Sequence, residues 1–267
     1  MKRVHVLEFE DLPWFPAWLR ACMTNVIVTF GRKMGVVSVL AHLIPPVLER
    51  HGLRKIVDLG SGSGGTMPDV VAEIRAKPDT AEAELLMTDL FPNPEAVERF
   101  GEGGAPHVAY HPEPVDAARL SDAPRGLRTM INCFHHMRPA QAKSILSSAR
   151  DSGEPILIYE MADNRIPFVV WLVTLPLGLA VTYLMCLVLT LFVRPLTFRQ
   201  VFFTYVIPVI PLFYAWDGQA SFPRIYTLED LDELLQGLDG DGYRWEKGPA
   251  TDANGRTFGI YLLGEPT

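Results

Sequence analysis

Hydrophobic and polar positions along this chain follow two different rules. From Lys55 onward, short apolar runs alternate with longer segments of helical spacing. KIVDL, ELLMTDL, VAY, RTMINCF and EPILIYE read as buried strands, and AQAKSILSSARDSG reads as one of the helices between them. Strand alternating with helix predicts a parallel, doubly wound sheet. Ahead of it, Phe9 to Gly52 carries Trp18, Leu19, Cys22, Met23, Val26 and Phe30 at helical spacing, with Pro45 and Pro46 expected to break or restart the helix. Behind it, TLEDLDELLQGL predicts a helix capped by Thr227, and YRWEKG and FGIYLLG two closing strands.

One region obeys a different rule. Ile166 to Val193 is 28 residues without Asp, Glu, Lys, Arg or His. As a helix rising about 1.5 Å per residue it exceeds the roughly 30 Å hydrocarbon core of a bilayer. It is apolar on every side, unlike an amphipathic surface helix. The chain must then return, and Gln200 to Trp216 offers only 17 residues, interrupted by Pro208 and Pro211. Arg194 and Arg199 fall at the tip, where crossing a bilayer is disfavoured. The counts predict a hairpin that dips into one leaflet with its arginines near head groups. The competing expectation is a lid or dimer interface in a protein without membrane contact. The organisation expected is therefore an N-terminal helical cap (1–54), a core (55–163), the apolar hairpin (164–223, with 166–216 as the membrane contact) and the closing helix and strands (224–267).

Charge narrows the partners. A net charge of -7 and no run of Lys or Arg argue against nucleic acid. Cys22, Cys133 and Cys186 match no CxxC pattern, so reduced thiols in a cytoplasmic protein are expected. MKRVHVLEFEDLPW turns acidic too early for a secretory signal.

Chemistry enters at KIVDLGSGSGG. A glycine-rich turn after a buried strand lets backbone approach a nucleotide, with free N–H groups at the next helix start. Gly60, Gly62 and Gly64 fit one spacing, and Gly60, Gly62 and Gly65 fit the dinucleotide spacing. Asp58, two residues before the first glycine, separates them: an anion there opposes a pyrophosphate but suits a cofactor bearing an ammonium and a sulfonium.

IVDLGSGSGG resembles the first motif of class I S-adenosylmethionine-dependent methyltransferases, and the likeness extends over about Ile56 to Glu160 and the closing helix and strands. The resemblance implies a doubly wound, seven-stranded Rossmann-like α/β sheet and S-adenosyl-L-methionine as cofactor. It implies that Asp58, Gly60, Ser61, Gly62 and Gly64 line the donor, that Asp89, followed by Leu90, holds the ribose hydroxyls, and that Asp116 and Ala117 meet the adenine amino group. Asn132, ending the fourth strand, would lie under the methyl donor. Each acid also has a plain reading as a turn or strand-end residue, and Asn132 as a turn residue.

His135 and His136 of FHHM follow the fourth strand, where the family places catalytic or substrate-contacting groups. A neutral imidazole there can take a proton from a hydroxyl acceptor, and His136 is the first choice. The alternative is one histidine packed at the sheet edge and the other bonded to a carbonyl. Glu160, ending the fifth strand, is a base, an orienting group or a partner of Arg165. In FEDLPWFPAWLR, Trp14 and Phe15 are lid or core.

Together these observations predict methyl transfer to an apolar small molecule or lipid at the inner face of the membrane. The rivals are a nicotinamide-dependent oxidoreductase, suggested by the second glycine spacing, and a membrane-anchored cofactor-binding protein without turnover.

Overall fold

The computed structural model describes residues 1–101, 104–120, 124–238, 240 and 242–267. The expected alternation becomes β1 (Lys55–Leu59), β2 (Glu84–Thr88), β3 (Val108–Tyr110), β4 (Leu127–Ile131), β5 (Ile156–Glu160), β6 (Tyr243–Thr251) and β7 (Thr257–Pro266). They form one sheet in the order β3-β2-β1-β4-β5-β7-β6. β1 to β5 are parallel, β7 runs antiparallel to β5, and β6 antiparallel to β7. β1 lies between β2 and β4, so the chain winds away from it in both directions and opens a crevice at the strands' carboxyl ends.

Helices α2 (Val36–Arg50) and α3 (Met67–Arg75) cover one face of the sheet, burying Leu40, Ile44, Val70 and Ile74 against Ile56 and Leu85. Helices α5 (Pro139–Ser152) and α9 (Leu228–Leu235) cover the other, with Ile145, Leu146, Leu231 and Leu234. Burial of each such side chain stabilises by roughly 1.5–3 kcal/mol. α9 begins with a capping box in which Thr227 and Asp230 exchange side-chain-to-backbone bonds, as its sequence foretells. Pro45 and Pro46 do not break α2, contrary to expectation. Both lie inside it, held by the packing of Ile44, Val47 and Leu48, and the break falls at Gly35, whose φ of 89° ends α1 (Ala17–Met34).

The apolar region builds a third layer. It consists of α6 (Phe168–Thr190), α7 (Phe198–Tyr205) and α8 (Val209–Arg224). The return is not one run: α7 and α8 meet at 80°, and α8 continues beyond Trp216 to Arg224. One face of α6 packs on α1 and α8, where Cys186, Leu189 and Val193 meet Leu19, Cys22, Met23, Ile210 and Tyr214. Phe15 joins this cluster while Trp14 lies exposed.

Both ends of α6 are fastened. Trp171 Nε1 donates to Gln219 O (3.0 Å) at its start. Past its end, Lys33 Nζ sits 3.7 Å from the Phe192 ring centroid and Arg199 lies 3.8 Å from Glu95 of α4 (Pro94–Phe100). Of the two arginines at the tip, Arg199 thus reaches the core, while Arg194 donates to Leu191 O (3.1 Å) and Val193 O (2.7 Å) in its own turn. Among the described residues nothing covers the opposite face of α6: Val169, Val173, Leu177, Val181, Leu184 and Val188 form one exposed apolar stripe at helical spacing, with Leu184 60% exposed.

Candidate active site

At the crevice, the turn after β1 places Gly60, Gly62, Gly64 and Gly65 at positive φ, between 51° and 113°. Side chains rarely adopt this conformation. A Cβ on Gly62 or Gly65 would meet no atom within 4 Å, so the turn frames an open cradle. A Cβ on Gly60 would press on Cys133 Sγ at 3.3 Å, which ties this turn to the end of β4.

Asp58 is buried under the cradle. Its Oδ1 accepts from Thr129 Oγ1 (2.7 Å) and its Oδ2 from Ser61 Oγ (2.6 Å). Among the described residues no Lys or Arg faces it. Burial pushes its carboxyl up to about 6, against the two hydroxyl bonds and helped by Asp89. A buried acid with hydroxyl donors but no protein cation fits a cationic ligand group. Asp89 Oδ2 accepts from Gly62 N (2.9 Å) and Oδ1 from Phe91 N (2.8 Å). The same carboxylate therefore ties the turn after β1 to the turn after β2, and keeps lone pairs for two further donors. Leu90 and Phe91 stand exposed beside it, Phe91 at 81%.

Asp116 reaches the same end of the sheet: Val115 N donates to Asp89 O (2.9 Å), while Asp116 Oδ1 accepts from Ala118 N (2.9 Å) and Oδ2 from Arg119 (3.2 Å). Ala117 is half-buried in that turn. Asn132 adopts a φ of 55°, and its Oδ1 accepts from Met161 N (2.8 Å), bridging the tips of β4 and β5. Its side-chain oxygen thus serves the frame of the crevice.

Next to the glycine turn, a short 3-10 turn (Phe134–His136) follows β4. Neither histidine takes the bland role of bonding a carbonyl through its ring. His135 is buried, with Nδ1 2.8 Å from Glu160 Oε2, and its own N–H donates to Glu160 Oε1 (2.9 Å). His136 Nδ1 lies 2.7 Å from Asp11 Oδ1. The two rings are 4.3 Å apart. Glu160 thus contacts His135 through both carboxylate oxygens, and Arg165 pairs with Asp163 rather than with Glu160.

The sequence reading missed the rest of this cluster. Glu8, fully buried, brings Oε2 within 3.2 Å of His136 Nδ1 and 3.0 Å of Arg224 Nη1, yet neither Glu8 oxygen is hydrogen-bonded. Arg224, also fully buried, reaches Asp11 Oδ2 at 2.7 Å. Burial holds the Glu8 carboxyl up at about 8, against the pull of His136 and Arg224. Asp11 moves the other way: burial opposes ionisation, but His136 and Arg224 hold it well below the usual carboxylate range.

The extended segment before α1 is stitched to α8 from both sides. Asp217 accepts from Phe9 N (2.8 Å) and Glu10 N (3.0 Å), and Trp216 Nε1 donates to Leu7 O (2.8 Å). Glu8 and Asp11 follow no spacing template, so only the run of acids in EFED signalled them.

Comparison with solved structures finds the same fold. The plantazolicin methyltransferase BpumL in complex with SAH superposes with a TM-score of 0.53 at 10% identity, over 94% of this chain and 96% of that one. Human N-acetylserotonin methyltransferase in complex with SAM gives 0.54 at 12% identity, over 94% of this chain and 57% of that one. An O-methyltransferase from neocarzinostatin biosynthesis, in complex with S-adenosylmethionine and 2-hydroxy-5-methyl naphthoic acid, gives 0.54 at 13%, over 98% and 62%. The chain thus spans about three-fifths of the length of the latter two. No family model and no curated protein sequence matches it. The fold is that of the class I S-adenosylmethionine-dependent methyltransferases.

Proposed function

We propose that the protein is an S-adenosylmethionine-dependent methyltransferase acting on a lipophilic small molecule or lipid at the cytoplasmic face of a membrane. The observation behind the reading is the pairing of an open glycine cradle over an uncompensated buried Asp58 with two carboxylate-held histidines one strand away. In this reading Asp58 faces the cationic part of the donor, and Asp89 holds its ribose. Bound there, the donor supplies a methyl group on a positively charged sulfur. The crevice aligns an acceptor with that methyl, and positioning accounts for most of the acceleration.

An imidazole would take the proton of a hydroxyl acceptor as that oxygen receives the methyl group of the donor held by Asp58 and Asp89. Both histidines are arranged for this. A carboxylate on Nδ1 fixes the tautomer that leaves Nε2 with its lone pair, in the manner of a catalytic dyad. His135 is held by two contacts from Glu160, and His136 by Asp11.

The uncovered stripe of α6 supports membrane contact, because apolar patches of that extent mark interaction surfaces. Fastening at both ends favours a helix lying along the surface over one that crosses. Incubation with isotopically labelled donor and a lipid extract, followed by mass spectrometry, tests the whole reading. Label in a lipid product is expected; tight donor binding with no labelled product would identify a binding protein without turnover.

A further inference from the structure

Outside the glycine turn, one cluster among the described residues crowds carboxylates against two histidines. Glu8, Asp11 and Glu160 are three carboxylates in close contact with His135 and His136; Arg224 pairs with Glu8 and Asp11, and Arg3 donates to the carbonyl of His135. Glu10 stands 3.8 Å from His136 Nε2 on the same side. Arg224 is already committed to Asp11, and both Glu8 oxygens remain without a hydrogen bond although the side chain is fully buried. Leaving such a group unsatisfied is costly. Nδ1 of His135 lies 2.8 Å from Glu160 Oε2, and Nδ1 of His136 lies 2.7 Å from Asp11 Oδ1 and 3.2 Å from Glu8 Oε2. Among the described residues, Nε2 of neither ring is hydrogen-bonded. One ligand atom each from Glu8, His135 and His136 lies within 4.8 Å of the others.

We propose that Glu8, His135 and His136 form a binding site for a divalent transition-metal cation. The arrangement has both shells of such a site. Two imidazoles and one carboxylate are the ligands, and Glu160 and Asp11 are the outer carboxylates that fix ring orientation and tautomer. Two nitrogens and one oxygen suit Zn²⁺, Fe²⁺ or Mn²⁺ better than Ca²⁺, which takes oxygen ligands. Arg224 Nη1 lies against Glu8 Oε2, which leaves Oε1 for the metal. Metal–ligand bonds of about 2.0–2.2 Å require the three atoms to draw in by about 1 Å, a side-chain adjustment. Three protein ligands leave coordination positions open. If the reading as a methyltransferase holds, the metal would raise the acidity of an acceptor hydroxyl at those positions, and the imidazoles would act as bases only in the metal-free protein. The binding claim itself does not rest on that reading.

Metal binding is measured without donor or turnover. Equilibrium dialysis of the metal-stripped full-length protein against Zn²⁺ should give one ion per chain, and Co²⁺ substitution should give the visible absorption of nitrogen and oxygen ligation. Glu8→Gln, His135→Ala and His136→Ala should each remove stoichiometric uptake, whereas Asp11→Asn should weaken it by about tenfold, as loss of an outer-shell partner does. Zinc uptake that is equal in wild type and variants, or no uptake and no Co²⁺ spectrum in the wild type, would overturn the site. Should Glu8→Gln fail to fold, the wild-type spectrum and the Asp11→Asn affinity decide the question. Calorimetry with S-adenosylmethionine on the same metal-stripped protein reports separately on the methyltransferase reading.

Discussion

The two sides of the crevice are built from opposite electrostatic principles. On the donor side every carboxylate already has its hydrogen bonds: Asp58 holds two hydroxyls, Asp89 two backbone N–H groups, Asp116 a backbone N–H and an arginine. What is missing there is a cation and something to fill the space above Gly62 and Gly65. On the acceptor side the charges crowd one another, and a buried carboxylate stands unbonded between a histidine and an arginine. The first is a finished frame waiting for a ligand of fixed shape. The second holds its groups in tension, which suits proton transfer or an ion. The difference teaches that the donor side should tolerate loss of a single contact better than loss of shape, and that the acceptor side should show the reverse.

The largest effect tests shape. Gly62 sits at a φ of 53°, so Gly62→Val combines backbone strain of about 1–3 kcal/mol with a side chain filling the cradle. Donor binding measured by calorimetry should fall about 100-fold or more. Unchanged affinity in a folded variant would mean the donor binds elsewhere. Next come the imidazoles. His135→Ala or His136→Ala should lower turnover by about 10²-fold with donor affinity unchanged, since neither ring bonds any residue of the glycine turn. Comparing the two decides which ring is used. If donor affinity falls in step with turnover, the division into two sides fails.

Asp89→Ala is expected to do less. It removes charge-assisted bonds of about 1.5–3 kcal/mol, or roughly 10–100-fold in donor affinity. Part of that loss would come from freeing Gly62 N and Phe91 N. Smaller again is Leu184→Lys on the uncovered stripe of α6. It should shift the protein from pelleted membranes towards the supernatant and leave donor binding intact, because the sheet does not contact that face. A wild-type protein that stays soluble without detergent defeats the membrane reading outright.

These contrasts also explain what the sequence could disclose. The glycine-turn side is local: each loop follows its own strand, so the order of KIVDLGSGSGG, MTDL and VDA along the chain discloses their place at the crevice. The sheet was legible for the same reason, and α9 declared its cap. The acceptor side joins residues 8, 11, 135, 136, 160 and 224, and only the histidine pair and Glu160 stood at strand ends where chemistry is expected. Glu8 and Arg224 became partners because the segment before α1 lies against the end of α8, a contact that no periodicity encodes. The apolar run left its placement open. Its length suggested a hairpin dipping into one leaflet or a lid, and α6 lies across α1 and α8, with Arg199 3.8 Å from Glu95. Composition alone cannot tell a helix with one buried and one uncovered apolar face from one that is surrounded by lipid.

The smallest expected effect concerns how the two sides are held together. Asp217 of α8 receives the N–H groups of Phe9 and Glu10 and so secures the segment that delivers Glu8 and Asp11. Burial raises its carboxyl to about 7, against those two N–H bonds and helped by Glu10 and Asp11. Its folded-state value therefore lies above the ordinary 3.8 of the unfolded chain. Between about 3.8 and about 7 the folded protein binds the extra proton, so this group's contribution to stability falls as pH rises through that window. Thermal melts of the donor-free protein should show that slope, and Asp217→Asn, which keeps one acceptor oxygen, should flatten it. A variant with an unaltered slope would place the titration in another group and leave the segment anchored by the Trp216 bond and the arginine contacts alone.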